Sequence, residues 1–303
     1  MPKFSIVTPT YNSCQYLSET IDSVISQRGD FEIEYIIVDG GSEDGTHDLI
    51  ESYIYRLREK KIQINCHNVE IIFDSQKDNG MYDAINRGFK QASGDYHAWI
   101  NSDDVYLPGA LHTISTVFSE YDDISWLKGI TSYTNSNSMI YKSGKAHIYN
   151  KKWIRLGVYG RLKQFIQQDS VFWRSQLWCG FKGIDQTLKL AGDFYLWWEY
   201  SECEELYSLN ANISCFRKVK GQLSSNLNQY KKEMDSICTL PNMLTVLIRV
   251  YNLLERTLPS FIMPCISFIF FGKQTFHAVK IDSNGLLKKI TGNYRDTSRA
   301  LAE

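Results

Sequence analysis

Within the first hundred residues a short apolar run breaks off at a polar loop four times, and a helical repeat separates each run from the next. Residues 4–8 favour strand and stop at Pro9, after which Leu17, Ile21, Val24 and Ile25 recur at helical spacing. Residues 33–38 form a second run, ended by Asp39-Gly40-Gly41-Ser42, and residues 44–58 carry Leu49, Ile50, Tyr53, Ile54 and Leu57 on one helical face. A third run spans 69–73, residues 81–92 set Ile85 and Phe89 four apart, and a fourth run over 96–100 closes on Asn101-Ser102-Asp103-Asp104. Strands alternating with amphipathic helices predict an α/β fold: a mostly parallel, Rossmann-like sheet flanked by helices. Ligands of such sheets bind at the carboxyl ends of the strands. Three of the most polar stretches, 8–12, 39–46 and 101–104, fall at those ends.

Past residue 108 the alternation weakens. Residues 130–149, polar and strand-like and rich in Ser, Thr, Asn and Tyr, read as a hairpin or a loop on the acceptor side; 167–173 are strand-like and 188–200 form an aromatic-laden helix. From 227 onward the chain turns helical and amphipathic, with apolar helices over 240–258 and 260–271 and a basic tail. No run reaches the roughly 18 apolar residues of a spanning helix. The N-terminus enters the first strand with no secretory signal before it. Seven scattered cysteines without a C-x-x-C pair make neither a disulfide scaffold nor a zinc ribbon and point to a reducing cytoplasm.

Charge separates the two ends of the chain. The total is −1, so nothing draws the whole molecule to nucleic acid. Residues 217–303, however, hold 13 basic against 6 acidic residues, a balance of +7, which leaves −8 for residues 1–216. An acidic front and a basic, partly apolar back suit different partners.

Two polar loops carry chemistry. In Asp39-Gly40-Gly41-Ser42-Glu43-Asp44-Gly45-Thr46 a strand-end carboxylate precedes glycines that let backbone come close, which suits ribose hydroxyls or a base N–H. A turn with a helix cap from Ser42 or Asp44 fits the same residues. The loop is neither G-x-G-x-x-G nor G-x-x-x-x-G-K-[ST], which removes support from hydride transfer and NTP hydrolysis. In Asn101-Ser102-Asp103-Asp104 two adjacent acids follow an apolar strand, the kind of site that holds Mg²⁺ or Mn²⁺ with phosphate oxygens. A solvated turn capping the helix after Pro108 is the other reading.

Taken together, Val7-Thr8-Pro9-Thr10-Tyr11-Asn12, the 38–46 loop, the 78–88 stretch from Asp78 to Gly88, Ala92-Ser93-Gly94-Asp95 and Ile100-Asn101-Ser102-Asp103-Asp104 resemble, in order and spacing, glycosyltransferase family 2, the inverting nucleotide-sugar transferases of GT-A fold. The resemblance covers residues 3–205. It implies a GT-A catalytic domain over 1–216, with a nucleotide-sugar half (1–106) and an acceptor half (107–216), and a helical, basic extension over 217–303. It implies that Thr8, Pro9, Thr10 and Tyr11 cradle the base. Asp39 and Gly41 then meet base or ribose, and Asp83 and Asn86 line the nucleotide-sugar pocket. Asn101 and Ser102 stand in the family's D-x-D motif, with Asp103 as ligand of Mn²⁺ or Mg²⁺ and Asp104 assisting or orienting. Asn101 replaces the motif's first Asp, one negative charge fewer.

The stretch from Phe181 to Trp197 resembles the family's segment that ends in the catalytic base, and this matches Asp193 to the general base. Gly192 stands where many relatives carry Glu. Without the resemblance, Asp193 reads as an N-cap. Gln168 matches a stretch near the acceptor, and Trp197 is a candidate platform for a sugar ring, although aromatics at helical spacing more often pack a core. The implied activity is metal-dependent inverting transfer of a sugar from a nucleotide-diphospho-sugar, a UDP-sugar first, to a saccharide or lipid-linked oligosaccharide of a surface polysaccharide or O-antigen precursor. The rivals are a sugar nucleotidyltransferase, which wants a Gly-rich basic loop that residues 8–16 lack, and a non-catalytic nucleotide-sugar-binding module. The C-terminal helices, interleaved with Arg249, Arg256 and Lys273, fit a peripheral position on the inner face of the cell membrane. Packing on the rest of the chain or on a second copy, as a homodimer, fits them too.

Overall fold

The computed structural model describes residues 1–219, 221–222, 225–259 and 262–302. In chain order these form β1 (Lys3–Thr10), α1 (Cys14–Ile25), β2 (Glu32–Asp39), α2 (Thr46–Arg58), β3 (Asn68–Ser75), α3 (Met81–Gln91), β4 (Tyr96–Trp99), β5 (Val105–Tyr106) and α4 (Ala110–Glu120). Next come β6 (Trp126–Thr134), β7 (Ile140–Lys142), α5 (Lys151–Arg155), a 3-10 turn (Gln168–Ser170), β8 (Val171–Arg174), α6 (Ser175–Cys179), α7 (Gly192–Cys203) and β9 (Tyr207–Arg217). The last elements are α8 (Leu227–Ile237), α9 (Asn242–Thr257), α10 (Met263–Phe271), β10 (Phe276–Ile281), β11 (Leu287–Gly292) and α11 (Tyr294–Ala302).

One sheet runs through the molecule in the order β11-β10-β9-β6-β8-β4-β1-β2-β3, with β5 beside β9 and β7 beside β6. The β3-β2-β1-β4 half is parallel, as the alternation predicts; β8 is antiparallel to both of its neighbours. Strands β1 and β2 are buried along nearly their whole length, the mark of a parallel sheet covered on both faces. Their period of two divides the core: Phe4, Ile6, Ile33, Tyr35 and Ile37 pack with α1, α2 and α4. Val7, Ile36 and Val38 pack on the opposite face with α3 and α7.

The C-terminal part departs from the expected helical extension. Helices α8, α9 and α10 are present, but the basic stretch after them forms β10 and β11, and β10 joins β9 in parallel register. Alternating Phe276, Ala278 with polar neighbours carries this strand pattern, which the high Lys content hides. The expected start of a helix at Ser260 lies outside the described residues.

Candidate functional site

The carboxyl edge of the parallel half is built by register. Thr10 of β1 and Ser75 of β3 both sit opposite Asp39, and β4 runs on the other side of β1 with Val7 opposite Trp99. The loops that leave this edge are stitched together. Asn12 N–H donates to Ser42 Oγ (2.8 Å), Glu43 N–H to Asn12 Oδ1 (2.9 Å) and Ser13 N–H to Thr46 Oγ1 (3.0 Å). Ser102 Oγ meets Ser13 Oγ at 2.9 Å, which brings the loop after β4 into the same cluster.

Asp39 is fully buried, and its carboxylate shapes its own loop. It accepts from the N–H groups of Gly41 (3.1 Å) and Ser42 (3.0 Å) and from the hydroxyls of Ser42 (2.5 Å) and Ser75 (2.9 Å). Gly41 adopts φ +88°, a left-handed turn that side chains resist. The turn reading is the one these bonds express, and Asp44 Oδ1 adds to it by accepting from Thr46 N–H (3.1 Å) at the start of α2. Thr8 and Pro9 are buried, and the Thr8 hydroxyl meets the Tyr35 hydroxyl at 3.1 Å, so the Thr8 side chain faces the core. Thr10 Oγ1 is buried with no partner, and Tyr11, 64 % exposed, is the side chain of this segment that faces solvent.

The acidic loop after β4 sorts its two carboxylates. Asp104 is fully buried, accepts from Arg217 N–H (2.8 Å) and receives a long contact from Asn101 Nδ2 (3.5 Å). Burial first, then the charges of Asp103 and Asp169, push its pKa well up. The expectation that Asp104 assists a metal is corrected: it faces the interior and orients the loop. Asp103 is partly exposed, its Oδ2 accepting from Gln222 Nε2 (2.9 Å), and burial raises its pKa despite that bond and the nearby Arg217. Asn101 takes the Trp99 indole N–H on its Oδ1 (3.1 Å). Among the described residues no three His, Cys, Asp or Glu side chains form a metal cluster. One partly exposed carboxylate fits the loose mode of Mg²⁺ and Mn²⁺, in which phosphate oxygens and water supply the other ligands.

Arg217, at the end of β9, is the residue that sequence reasoning missed. Its side chain is 1 % exposed and reaches Asp103 O (2.8 Å), Ser138 Oγ (2.8 Å), Asn135 O (3.3 Å) and Glu19 Oε2 (2.8 Å). One guanidinium thus ties α1, the β6–β7 hairpin and the acidic loop. Nothing in its local sequence signals this, since its partners lie 79 to 198 residues away.

Asp193 lies in the first turn of α7. Its Oδ1 accepts from Phe194 N–H (2.7 Å) and from the Tyr230 hydroxyl (2.9 Å). Burial raises its pKa to about 6, aided by the negative charge of Glu233 and opposed by those two hydrogen bonds. Glu233, on α8, accepts at Oε2 from the N–H groups of Lys189 (3.1 Å), Leu190 (2.8 Å) and Ala191 (2.9 Å), capping α7. Glu233 thus brings a negative charge close to Asp193 from 41 residues beyond position 192. Gly192 has a physical reason as well: a Cβ there would lie 2.5 Å from the Tyr82 ring. Tyr82 packs edge-on to Trp99 of β4 (6.3 Å), which places the α7 N-terminus over the same edge.

The remaining expected residues divide. Asp83 Oδ1 accepts from Gln186 Nε2 (3.0 Å), and Asn86 exchanges both amide bonds with the Ile184 backbone (2.7 and 2.8 Å), so this pair ties α3 to the segment before Asp193. Gln168 is buried and its amide atoms have no partner. The platform assigned to Trp197 is corrected: it is 2 % exposed and stacks on Trp126 (5.7 Å), beside Trp173 and Tyr200, a core residue selected by apolar burial.

The glycosyl transferase family 2 model matches residues 5–181. An uncharacterized glycosyltransferase of Rickettsia prowazekii is 26 % identical over 208 residues, covering 68 % of this chain and 61 % of the relative. A PGL/p-HBAD biosynthesis glycosyltransferase of Mycobacterium tuberculosis is 31 % identical over 138 residues, 45 % of this chain and 49 % of that protein. The chain thus spans less than two thirds of the length of these relatives. S. aureus TarS 1–349, crystallised in complex with UDP-GlcNAc, shares the fold at TM-score 0.57 and 19 % identity, over 88 % of this chain and 71 % of that one. The central mixed sheet flanked by helices is the GT-A arrangement. With a strand-tip carboxylate and an acidic loop at the carboxyl edge of the parallel half, a half-buried aspartate at the start of α7, and a family match over more than half its length, the chain belongs to glycosyl transferase family 2.

Proposed function

We propose that the chain is an inverting glycosyltransferase that moves a sugar from a nucleotide-diphospho-sugar to a saccharide acceptor. The observation that carries this reading is Asp193: a half-buried carboxylate in the first turn of α7, anchored by Tyr230, whose pKa burial raises to about 6. A carboxylate of that basicity is ionised at neutral pH, yet takes a proton from an attacking hydroxyl more readily than an ordinary aspartate. Asp193 accepts the proton of the acceptor hydroxyl, whose oxygen forms the bond to the anomeric carbon as the bond to the diphosphate breaks on the opposite face. An α-linked donor then yields a β-linked product. Tyr11, Asp39 and Gly41 bind the nucleoside, while Asn101, Ser102, Asp83 and Asn86 shape the donor pocket. Asp103 would hold Mn²⁺ or Mg²⁺, which when bound offsets charge on the departing nucleoside diphosphate.

The likeness to TarS, solved with UDP-GlcNAc, makes UDP-sugars the first donors to try. A lipid-linked surface polysaccharide is the proposed acceptor class, with Gln168, whose buried amide lacks any partner, as its nearest marker. Incubation with a panel of nucleotide-sugars, with and without Mn²⁺, should release nucleoside diphosphate from one donor class. Asp193→Asn should bind that donor and lose turnover. Wild-type turnover in this variant would remove Asp193 as base, and donor binding without turnover in the parent protein would favour the binding-module reading.

A further inference from the structure

Helix α9 is apolar on two sides. Ile248 and Tyr251 are buried against the rest of the molecule, as an amphipathic helix requires. Yet Met243, Val246, Val250 and Leu253 point into solvent, 76, 58, 40 and 61 % exposed. At helical spacing these four fall within an arc of about 80°, and Arg249 and Arg256, both exposed, border it on one side. Helix α10, packed on α9 through Tyr251 and Phe271 (5.2 Å), leaves Phe268 and Ile269 at 64 and 77 % exposed and is followed by exposed Lys273. Across residues 239–281 Glu255 is the one acid, and it is turned inward to Lys163 Nζ at 2.9 Å. The outward surface of these two helices therefore offers apolar side chains and cations.

An organised apolar patch of this kind marks an interaction site. Its charge selects the partner, because cations beside an apolar stripe complement anionic headgroups over an acyl boundary. The division of charge over the chain agrees. The sequence sums, +7 in residues 217–303 and −8 in residues 1–216, have the sign that such a contact needs. No described helix is long and apolar enough to cross a membrane, so the contact lies in the plane of the interface.

We propose that α9 and α10 dock this protein on an anionic lipid surface. The α9 stripe, with Phe268 and Ile269, enters the headgroup–acyl boundary, while Arg249, Arg256 and Lys273 meet lipid phosphates. Docking is independent of the catalytic reading, since it uses none of the residues assigned to the reaction.

Co-sedimentation of the full chain with vesicles tests it. The protein should pellet with equal parts phosphatidylcholine and phosphatidylglycerol, not with phosphatidylcholine alone, and molar salt should weaken binding. Arg249→Gln/Arg256→Gln should lower the partition coefficient about 25-fold, from about fivefold per cation. Val246→Ser/Leu253→Ser should lower it about tenfold or more at unchanged melting temperature, because both side chains already face water. Nucleoside diphosphate release from a soluble donor should stay at the parent level in both variants, so a failure of docking and a failure of the transferase reading are read separately. Absent binding, binding indifferent to lipid charge, or binding unmoved by the substitutions overturns the proposal. So does a dimer in light scattering that Val246→Ser/Leu253→Ser dissociates, which would make a second copy the occupant.

Discussion

Asp193 is held at a free-energy cost that its function would explain. In the unfolded chain an aspartate titrates near 3.8, whereas here burial moves it to about 6. A carboxyl whose folded pKa is raised favours folding only while protonated, so its penalty grows between about pH 4 and 6 and is complete at neutral pH. Asp193→Asn keeps the acceptor oxygen for Tyr230 and removes the charge. It should therefore raise unfolding free energy at pH 7.5 by about 2–3 kcal/mol, with no gain near pH 3, while turnover falls about 10²–10⁴-fold; thermal melts and donor turnover check both. Tyr230 and Glu233 tune the same carboxylate in opposite directions. Tyr230→Phe removes a donor to the ionised form and should move the acid limb of kcat/KM to higher pH, whereas Glu233→Gln removes a nearby negative charge and should move it lower.

Elements are joined at this edge by a few long-range polar anchors. Arg217 fastens α1, the β6–β7 hairpin and the Asp103 loop, and replacing it leaves the carbonyls of Asp103 and Asn135 without this donor and breaks the tie to Glu19. Arg217→Ala should destabilise the protein by about 3 kcal/mol or more in urea unfolding and should weaken donor binding through the loosened Asp103 loop. Gly192 is an anchor of the opposite kind, a place where nothing fits. Gly192→Ala drives a Cβ into the Tyr82 ring and should cost about 1–3 kcal/mol, part of which Tyr82→Leu recovers in the double variant.

At the scale of the molecule, contacts cross the boundary expected near residue 216. Strand β10 extends the sheet from β9, Glu233 of α8 caps α7, and Trp153 packs against Phe271 of α10 at 5.1 Å. A chain ending at residue 216 would expose the β9 edge, uncap α7 and lose Arg217 and Tyr230. It should fail to give a soluble monomer in size-exclusion chromatography, whereas a separable catalytic domain would elute as one.

Local sequence determined the parallel half of the sheet, the two faces of its core and the loops that carry Asp39, Asp103 and Asp193. Strand and helix periodicity and turn glycines are short-range signals, and each acts within about ten residues. Tertiary structure decided what those loops can do. Asp103 and Asp104 are chemical equals in sequence, but the fold buries one completely against Arg217 and leaves the other partly exposed. Trp197 is a good sugar platform by composition and a core residue by position. The acid beside Asp193 arrives on a different helix, and the basic tail becomes two strands because β9 has an edge to receive them. Burial and long-range hydrogen bonds belong to the packed chain, and no window of residues contains them.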